Sequence, residues 1–245
     1  MIYTLIGENK KDIAQIFENR GLRYSDIMGV TDKAVLDPAL MKNMDKAVKL
    51  VHAHLEMGSI IYIQQDPDAD GMTSTAVLYR YLKKVAPKSN LIVGIHKGKQ
   101  HGIDVENVEN LLIDGVNISL IIAPDASSNE HDIHKKFKDK GIDVLVLDHH
   151  DADSYSESAV MVNPQLDDYP NKNISGVGVV LKFAQLYDKT YDHSFASEFY
   201  DLAAVGIIGD MIEITTPETV FIVQKGMSSI RSPFLKALYE KKDYS

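Results

Sequence analysis

The sequence predicts an α/β fold in which helices flank a doubly wound, mostly parallel sheet, followed by a mainly helical C-terminal region. Four short apolar runs rich in β-branched residues occur between residues 60 and 147, with helical patterns between them. This pattern is typical of a parallel sheet covered on both faces, because the strands of such a sheet are buried on both sides and are connected by helices. After Val160 the patterns become helical, so the sheet is expected to end near Asn163.

The elements follow in order from the spacing of their apolar residues. A helix is predicted from Asn43 to about Met57, with Gly58 as its stop. The strands are predicted at Ile60-Ile-Tyr-Ile, Leu91-Ile-Val, Ile118-Ser-Leu-Ile-Ile and Val144-Leu-Val-Leu. Crossover helices are predicted near residues 73–85, 105–114 and 130–140, and C-terminal helices over 178–187, 195–209, 217–230 and 234–241. We therefore expect a helical segment, residues 1–58, packed on a domain of residues 59–245.

Composition narrows the chemistry. The 245 residues are 44% apolar and 25% charged, which is ordinary for a soluble globular protein. The chain has no cysteine and no tryptophan, so a metal ion has to be held by oxygen and imidazole. No window approaches the roughly 20 apolar residues of a membrane helix, and we expect a cytoplasmic protein without membrane contact.

The formal charge of −9 argues against a broad basic surface for long nucleic acid. Converging aspartates that bind divalent cations change this locally, because the cations neutralise negative charge where a phosphate lies. Net charge therefore does not exclude a phosphate substrate.

Acidic residues follow three of the four predicted strands directly. Asp66-Pro-Asp-Ala-Asp-Gly follows the first strand, Asp125 the third and Asp148-His-His the fourth. Functional groups gather at the carboxyl ends of the strands in open parallel sheets, so these segments should meet in one crevice. Carboxylates suit manganese or magnesium, and an added imidazole favours manganese. Gly71 permits a tight entry into a helix beginning near Met72 or Thr73.

These motifs resemble the DHH phosphoesterase family, in the form found in RecJ exonucleases. Asp66-Pro-Asp-Ala-Asp-Gly is similar to the first motif of the family, and Asp148-His149-His150 is the triplet that gives the family its name. Later segments resemble RecJ motifs in order and spacing: Asn163-Pro, Ser175-Gly-Val-Gly, Asp201-Leu-Ala-Ala-Val-Gly-Ile-Ile-Gly-Asp210 and Gly226-Met-Ser-Ser-Ile-Arg. The resemblance extends over roughly residues 15 to 240.

The resemblance implies a centre of two divalent metal ions, with Mn2+ preferred and Mg2+ the alternative. One ion would be held by Asp66, Asp68 and Asp125, and the other by Asp70, Asp125, His149 and Asp210. His150, Asp148 and Asp125 would be catalytic, with His150 facing the phosphate, and Asp201 would play a supporting role.

Substrate contacts are expected from two further segments. Ser175 and Gly176 could bring a hydroxyl or a backbone amide near a phosphate, although helix entry with close packing explains the glycines equally well. His101 occupies the place where RecJ proteins usually carry Gly-Tyr-Gly, and Lys97 and Lys99 precede it.

The sequence departs from the family pattern in two places. Ser127 stands where many relatives carry glycine, and Ser127-Ser-Asn-Glu130 fits a helix capping box. The smaller second domain of the family does not follow Ser245, so we expect either a catalytic fragment of a longer protein or a single-domain form with a protein partner or a smaller substrate.

The resemblance implies a metal-dependent phosphodiesterase that hydrolyses single-stranded DNA from an end, in DNA repair and recombination. A phosphodiesterase for short oligonucleotides or cyclic dinucleotides is the first alternative. A catalytically silent RecJ-like replication scaffold is the second, although such proteins lose metal ligands and every expected ligand is present here.

Overall fold

The computed structural model describes residues 13–98 and 100–240, with only the backbone described at residues 13–15, 26, 239 and 240. Lys99 and the predicted end of the last helix at Lys241 lie outside the described residues.

A five-stranded parallel sheet organises the described fold. Its strands are β1 (Ile60–Gln65), β2 (Asn90–Ile95), β3 (Ile118–Pro124), β4 (Asp143–Leu147) and β5 (Val160–Val162), in the order β2-β1-β3-β4-β5. All four pairings are parallel. The four predicted strands are confirmed. The fifth strand, β5, was not predicted, because three residues are too short for a recognisable sequence pattern.

The helices follow the predicted order with shifted ends. They are α1 (Ile13–Glu18), α2 (Tyr24–Met28), α3 (Met44–Glu56), α4 (Ala69–Val85), α5 (Val105–Ile113), α6 (His131–Lys138), α7 (Gly176–Tyr191), α8 (Tyr200–Gly209), α9 (Pro217–Ser228) and α10 (Pro233–Glu240). Short 3-10 turns occur at Asp32–Ala34, Pro38–Leu40, Pro164–Leu166 and Ala196–Glu198. Among the residues described, no helix has the length and apolar character needed to cross a membrane.

The sheet buries both of its faces. Ile63, Ile122 and Leu145 pack in one cluster with apolar residues of α3, α4, α7 and α8. Ile121 and Val146, one position along their strands, pack in a second cluster with α5 and α6. Successive strand side chains point to opposite faces, so helices on both sides explain the continuous apolar runs.

The start of α4 differs from the sequence prediction. The helix begins at Ala69, and the carboxylate of its N-cap residue Asp68 accepts a hydrogen bond from Gly71 N at 2.8 Å. An aspartate is a favourable N-cap because it satisfies an amide of the first turn. Asp70 therefore lies in the first turn of a helix, and the predicted start near Met72 or Thr73 is wrong.

The predicted capping box at Ser127 is also wrong. Helix α6 begins at His131 with Glu130 as its N-cap, and no side chain caps it. Instead the Ser127 hydroxyl donates to Glu130 Oε2 at 2.6 Å. Ser127 adopts φ 82°, a left-handed conformation that a helix N-cap does not have.

Candidate metal centre

The carboxyl ends of the strands bring the predicted aspartates to one edge of the sheet. Asp66 follows β1, Asp125 follows β3 and Asp148 follows β4. The ladder continues one step past the strands, because Asp125 N donates to Leu147 O at 2.8 Å and Asp148 N donates to Val162 O at 3.0 Å. The backbone beneath these side chains is therefore fixed by the sheet.

Three overlapping groups of possible metal ligands form at this edge. In each group, ligand atoms lie within 4.8 Å of one another: Asp66, Asp68 and Asp125; Asp70, His149 and Asp210; and Asp125, His149 and His150. The first two groups coincide with the two ligand sets that the motifs imply, except for Asp125 in the second set. Asp125 belongs to two of the three groups and lies between them.

Asp125 has an unusual backbone and close surroundings. Its φ of 67° is left-handed, which is uncommon for residues other than glycine and is found where surrounding structure enforces it. A Cβ on Gly176 would lie 2.2 Å from Asp125 Oδ1, so only glycine fits at the start of α7. Close packing between α7 and β3 thus depends on this glycine.

The carboxylate of Asp125 is buried without a hydrogen bond. The residue is 1% exposed, and neither oxygen has a hydrogen-bond partner. His149 Nε2 lies 3.2 Å from Oδ1 but is itself without a hydrogen bond. Burial, reinforced by the nearby charges of Asp70 and Asp148, raises the pKa of Asp125 far above its usual range.

Asp70 is held by the N-terminus of α7. Gly176 N donates to its Oδ2 at 2.6 Å, and Val177 N donates to its Oδ1 at 3.1 Å. Burial raises the pKa of Asp70, while His149 and these two amides lower it in part. Asp210, at the end of α8, lies 3.6 Å from His149 Nε2, and burial raises its pKa as well.

Asp66 and Asp68 lie on the other side of Asp125. His101 Nδ1 lies 2.8 Å from Asp66 Oδ2, and Gly102 N donates to Asp66 Oδ1 at 3.3 Å. Asp66 is buried, whereas Asp68 is exposed while its carboxylate caps α4. His101 thus lies beside Asp66, with its ring mainly in solvent.

Asp148 serves His150 within the chain. Its Oδ1 lies 2.7 Å from His150 Nδ1 and accepts from His149 N at 2.8 Å, and its Oδ2 accepts from Ser128 N at 3.1 Å. Burial raises the pKa of Asp148, but the hydrogen bonds from His150 and Ser128 outweigh it and lower the pKa to about 2. The same hydrogen bond raises the pKa of His150 to about 9. The pair presents an oriented, cationic imidazole at the edge of the site.

The remaining predicted residues have other surroundings. Ser175 is fully buried with its hydroxyl unpartnered, and the neighbouring Gly176 amide is already donated to Asp70. Lys97 lines a separate depression with Ile95 and residues of α5. Asp201 accepts hydrogen bonds from Arg231 N and Ser232 N, so it ties the chain before α10 to α8.

Sequence reasoning missed two contributors to this edge. Gly206 packs against Asp70, where an added Cβ would lie 2.6 Å from Oδ1, and Glu130 joins two loops beside the centre. The glycine was visible within the Asp201–Asp210 motif, whereas the capping-box pattern that includes Glu130 gave no sign of its contact with the loop before α5.

A cavity of about 300 Å³ opens beside the centre. It is lined by Asp66, His101, Gly102, Asp125, Ala126, Ser127, Ser128, Asn129, Glu130, Asp148, His150 and Asp151. Its size lies at the lower end of the range for small-molecule sites.

These residues fit divalent cations. Within residues 13–98 and 100–240, the ion-pair partners of the clustered carboxylates are histidines and never lysine or arginine. A buried carboxylate without a hydrogen bond or a counter-charge is costly, and a bound cation removes that cost. Aspartate oxygen together with imidazole suits manganese and related ions.

Comparison with known proteins identifies the family and the fold. The family model described as DHH family, N-terminal domain, matches residues 59–207. The chain is 33% identical over 250 residues to a Bacillus subtilis (strain 168) protein provisionally named SPbeta prophage-derived single-strand DNA-specific exonuclease YorK. It is 27% identical over 248 residues to the single-stranded-DNA-specific exonuclease RecJ of Escherichia coli (strain K12).

A solved structure is similar over almost the whole chain. The crystal structure of RecJ from Thermus thermophilus in complex with Mn2+ has a TM-score of 0.73 and 27% identity, covering 95% of this chain and 34% of that one. Alignment covers all of this chain with the Bacillus protein and 93% with the Escherichia coli protein, but only 42% of either relative.

Proposed function

This chain belongs to the DHH family, and from that membership we propose that it is a metal-dependent phosphodiesterase that hydrolyses single-stranded DNA from an end, in the 5′ to 3′ direction. The observation that carries the proposal is the buried carboxylate of Asp125, which has neither oxygen hydrogen-bonded and belongs to two of the three groups of possible metal ligands. Bound divalent cations would offset the cost of burying the ionised carboxylate of Asp125.

We assign the ligands from the groups described above. Asp66, Asp68 and Asp125 would hold one ion, and Asp70, His149 and Asp210, together with Asp125, would hold the second. When bound, two such ions polarise a phosphoryl group, lower the pKa of a water molecule and stabilise the leaving oxygen.

The other residues act on the substrate and on the ligands. His150 lines the cavity beside the centre, where a protonated imidazole would stabilise charge on a non-bridging phosphate oxygen. Asp148 holds that ring through Nδ1, and its own oxygens are occupied by contacts within the chain. No nucleophilic side chain is required for this reaction.

The substrate class rests on the named relatives. Both curated relatives carry names for exonucleases specific to single-stranded DNA. Because this chain spans about two fifths of their length, the rest of a longer protein or a partner would contribute to binding a long strand.

A second candidate is hydrolysis of short oligonucleotides or cyclic dinucleotides. The formal charge of −9 favours it, because a long strand is normally held by clustered lysine and arginine. The cavity of about 300 Å³ is also suited to a small ligand.

The test compares three substrates under manganese: a 5′-phosphorylated single strand, a trinucleotide and a cyclic dinucleotide. Strands labelled at the 5′ end and at the 3′ end are digested separately, because the label released first gives the polarity. Asp125→Ala is expected to abolish hydrolysis of every substrate that the unaltered chain cleaves.

Asp114→Ala serves as the matched control. Asp114 is an exposed aspartate that ends α5 before β3, at the opposite edge of the sheet, and its removal should leave the rate unchanged. Activity confined to the short or cyclic substrates would favour the second candidate. Cleavage that persists in Asp125→Ala or without divalent metal would contradict the mechanism.

A further inference from the structure

Glu130 joins two loops on the same side of the metal centre. Its Oε2 accepts a hydrogen bond from the Ser127 hydroxyl at 2.6 Å and another from Ile103 N at 3.0 Å. Ser127 belongs to the loop that follows β3 and carries Asp125, whereas Ile103 belongs to the loop between β2 and α5. One carboxylate thus binds loops from two crossovers.

The loop held by Glu130 also contacts Asp66. Residues 101–103 place His101 Nδ1 2.8 Å from Asp66 Oδ2 and Gly102 N 3.3 Å from Asp66 Oδ1. Gly102 has a left-handed φ of 77°, and a Cβ there would lie 2.2 Å from Glu130 Oε1. Glu130 is therefore packed directly against the residue whose amide contacts Asp66.

We propose that Glu130 is a positioning residue of the metal centre, which fixes Asp66 through residues 101–103. The inference rests on the proposed function, because it takes Asp66 to be a metal ligand. Glu130 is in none of the three groups of possible metal ligands, and its hydrogen bond with Ile103 N holds the segment that contacts Asp66.

Without the Glu130 carboxylate, residues 101–103 lose the hydrogen bond that holds them in place. The Ile103 amide would be left without its hydrogen-bond partner, and an unpaired, partly buried amide favours a rearranged loop. The loop contains Gly98 and Gly102, both with positive φ, so alternative backbone conformations are accessible to it. Asp66 would then lose its fixed orientation, although its own backbone stays in place at the end of β1.

The effect should fall on one ion more than on the other. Asp66 belongs to the group with Asp68 and Asp125, whereas in the other group Asp70 accepts hydrogen bonds from the α7 amides and Asp210 lies at the end of α8. Removing a residue that orients a metal ligand typically costs about 10-fold to 100-fold in metal affinity.

The experiment is a manganese titration of the 245-residue chain, with free Mn2+ measured by electron paramagnetic resonance. The unaltered chain is expected to bind two ions, and Glu130→Ala should weaken one of them by about 10-fold or more while leaving the other unchanged. Glu130→Gln should have a smaller effect, because its amide oxygen still accepts a hydrogen bond. Asp132→Ala removes an exposed carboxylate from the same helix and should change neither affinity.

Ser127→Gly separates the two arms of Glu130. Glycine adopts the left-handed conformation of residue 127 without help, so the double variant Ser127→Gly with Glu130→Ala should keep the weakened site. Full recovery in the double variant would overturn the inference, because Glu130 would then act only on the turn beside Asp125.

Two other outcomes overturn the inference in distinguishable ways. Equal weakening of both ions, or no weakening in Glu130→Ala, would remove the positioning role while leaving the proposed function intact. Failure of the unaltered chain to bind manganese would remove both the proposed function and this inference.

Discussion

Two buried carboxylates, those of Asp125 and Glu218, have surroundings that treat their charges in opposite ways. Asp125 is 1% exposed and Glu218 is 2% exposed, so water solvates neither carboxylate. Burial raises the pKa of Asp125, and the neighbouring carboxylates of Asp70 and Asp148 raise it further. Glu218 instead lies 2.6 Å from the ammonium group of Lys182, which is itself fully buried.

The hydrogen bonds of Glu218 complete the contrast. Its Oε1 accepts from Leu36 N at 2.9 Å, and its Oε2 accepts from the Tyr169 hydroxyl at 2.7 Å and from Asn171 Nδ2 at 3.0 Å. These contacts tie α7 and α9 to the segment before α3. Neither carboxylate oxygen of Asp125 has such a donor.

The difference separates a structural carboxylate from a functional one. A buried ion pair with every oxygen satisfied needs nothing from outside the chain. A buried carboxylate among other carboxylates keeps an unmet demand for positive charge, and a divalent cation meets it. Burial alone does not identify a site, whereas burial without internal neutralisation does.

The largest expected effect comes from Asp125→Asn. Loss of a carboxylate that we propose binds both ions should lower kcat by about a thousandfold or more, because each 1.36 kcal/mol of lost transition-state stabilisation costs about tenfold. Hydrolysis of labelled single-stranded DNA in manganese measures this change, and Asp114→Ala again serves as the control.

The same substitution should raise the stability of the metal-free protein. The pKa of Asp125 is raised on folding, so the folded state binds more protons than the unfolded state above about pH 4, and stability falls as pH rises. The introduced asparagine does not ionise, so the gain should be larger at pH 8 than at pH 4. Urea denaturation in EDTA measures it, and an inactive variant that is also less stable at pH 8 would make Asp125 structural.

Glu218→Gln should show the reverse pattern. It leaves the buried Lys182 ammonium without a counter-charge, and breaking a buried pair in this way costs about 3 to 5 kcal/mol. Urea denaturation should detect this loss, while kcat per folded molecule in the cold should be unchanged. A loss of manganese affinity in Glu218→Gln would contradict the separation of the two regions.

A double variant sharpens this result. Lys182→Met with Glu218→Leu removes both charges, so it should cost less than the sum of the two single variants. The recovery should be partial, because the donors at Leu36, Tyr169 and Asn171 lose their acceptor.

His134 tests whether any unpartnered buried group marks a metal site, and it should give the smallest effect. It is 0% exposed, neither ring nitrogen has a hydrogen-bond partner, and burial and then His131 lower its pKa to about 4. In the unfolded chain this histidine takes up a proton near pH 6.5, whereas in the folded protein it does so only near pH 4. The free energy of unfolding should therefore decrease as the pH is lowered from 6.5 to 4, by about 3 kcal/mol or less.

His134→Leu should flatten that pH dependence and leave manganese binding unchanged, because a neutral ring creates no demand for a cation. Denaturation midpoints between about pH 4 and pH 7 measure the first effect, and the manganese titration measures the second. Weaker binding of either ion in His134→Leu would extend the metal centre to α6.

The sequence predicted the strands and the edge at which the aspartates meet. Runs such as Ile118–Ile122 are apolar because both faces of the sheet are covered, so they are visible without tertiary information. Asp66, Asp125 and Asp148 each follow such a run, and parallel strands end at the same edge. That inference needs only the direction of the strands.

The hydrogen-bond partners of individual side chains were harder to predict, because residues distant in the sequence compete for them. Ser127 and Glu130 have the spacing of a capping box, but the carboxylate bonds the Ser127 hydroxyl and the Ile103 amide instead. A residue 27 positions away thus decided what Glu130 does. The start of α4 at Ala69 was missed because the aspartates before Gly71 read as a loop.

The sequence by itself therefore determined the order of the elements, the convergence of the aspartates and the ligand types available to a metal. Only the tertiary structure decided which carboxylates are neutralised within the chain. Gly176 reaches Asp70 across 106 positions, and Lys182 reaches Glu218 across 36. Electrostatic balance depends on distances and burial between remote segments, and these follow from helix packing rather than from any local pattern.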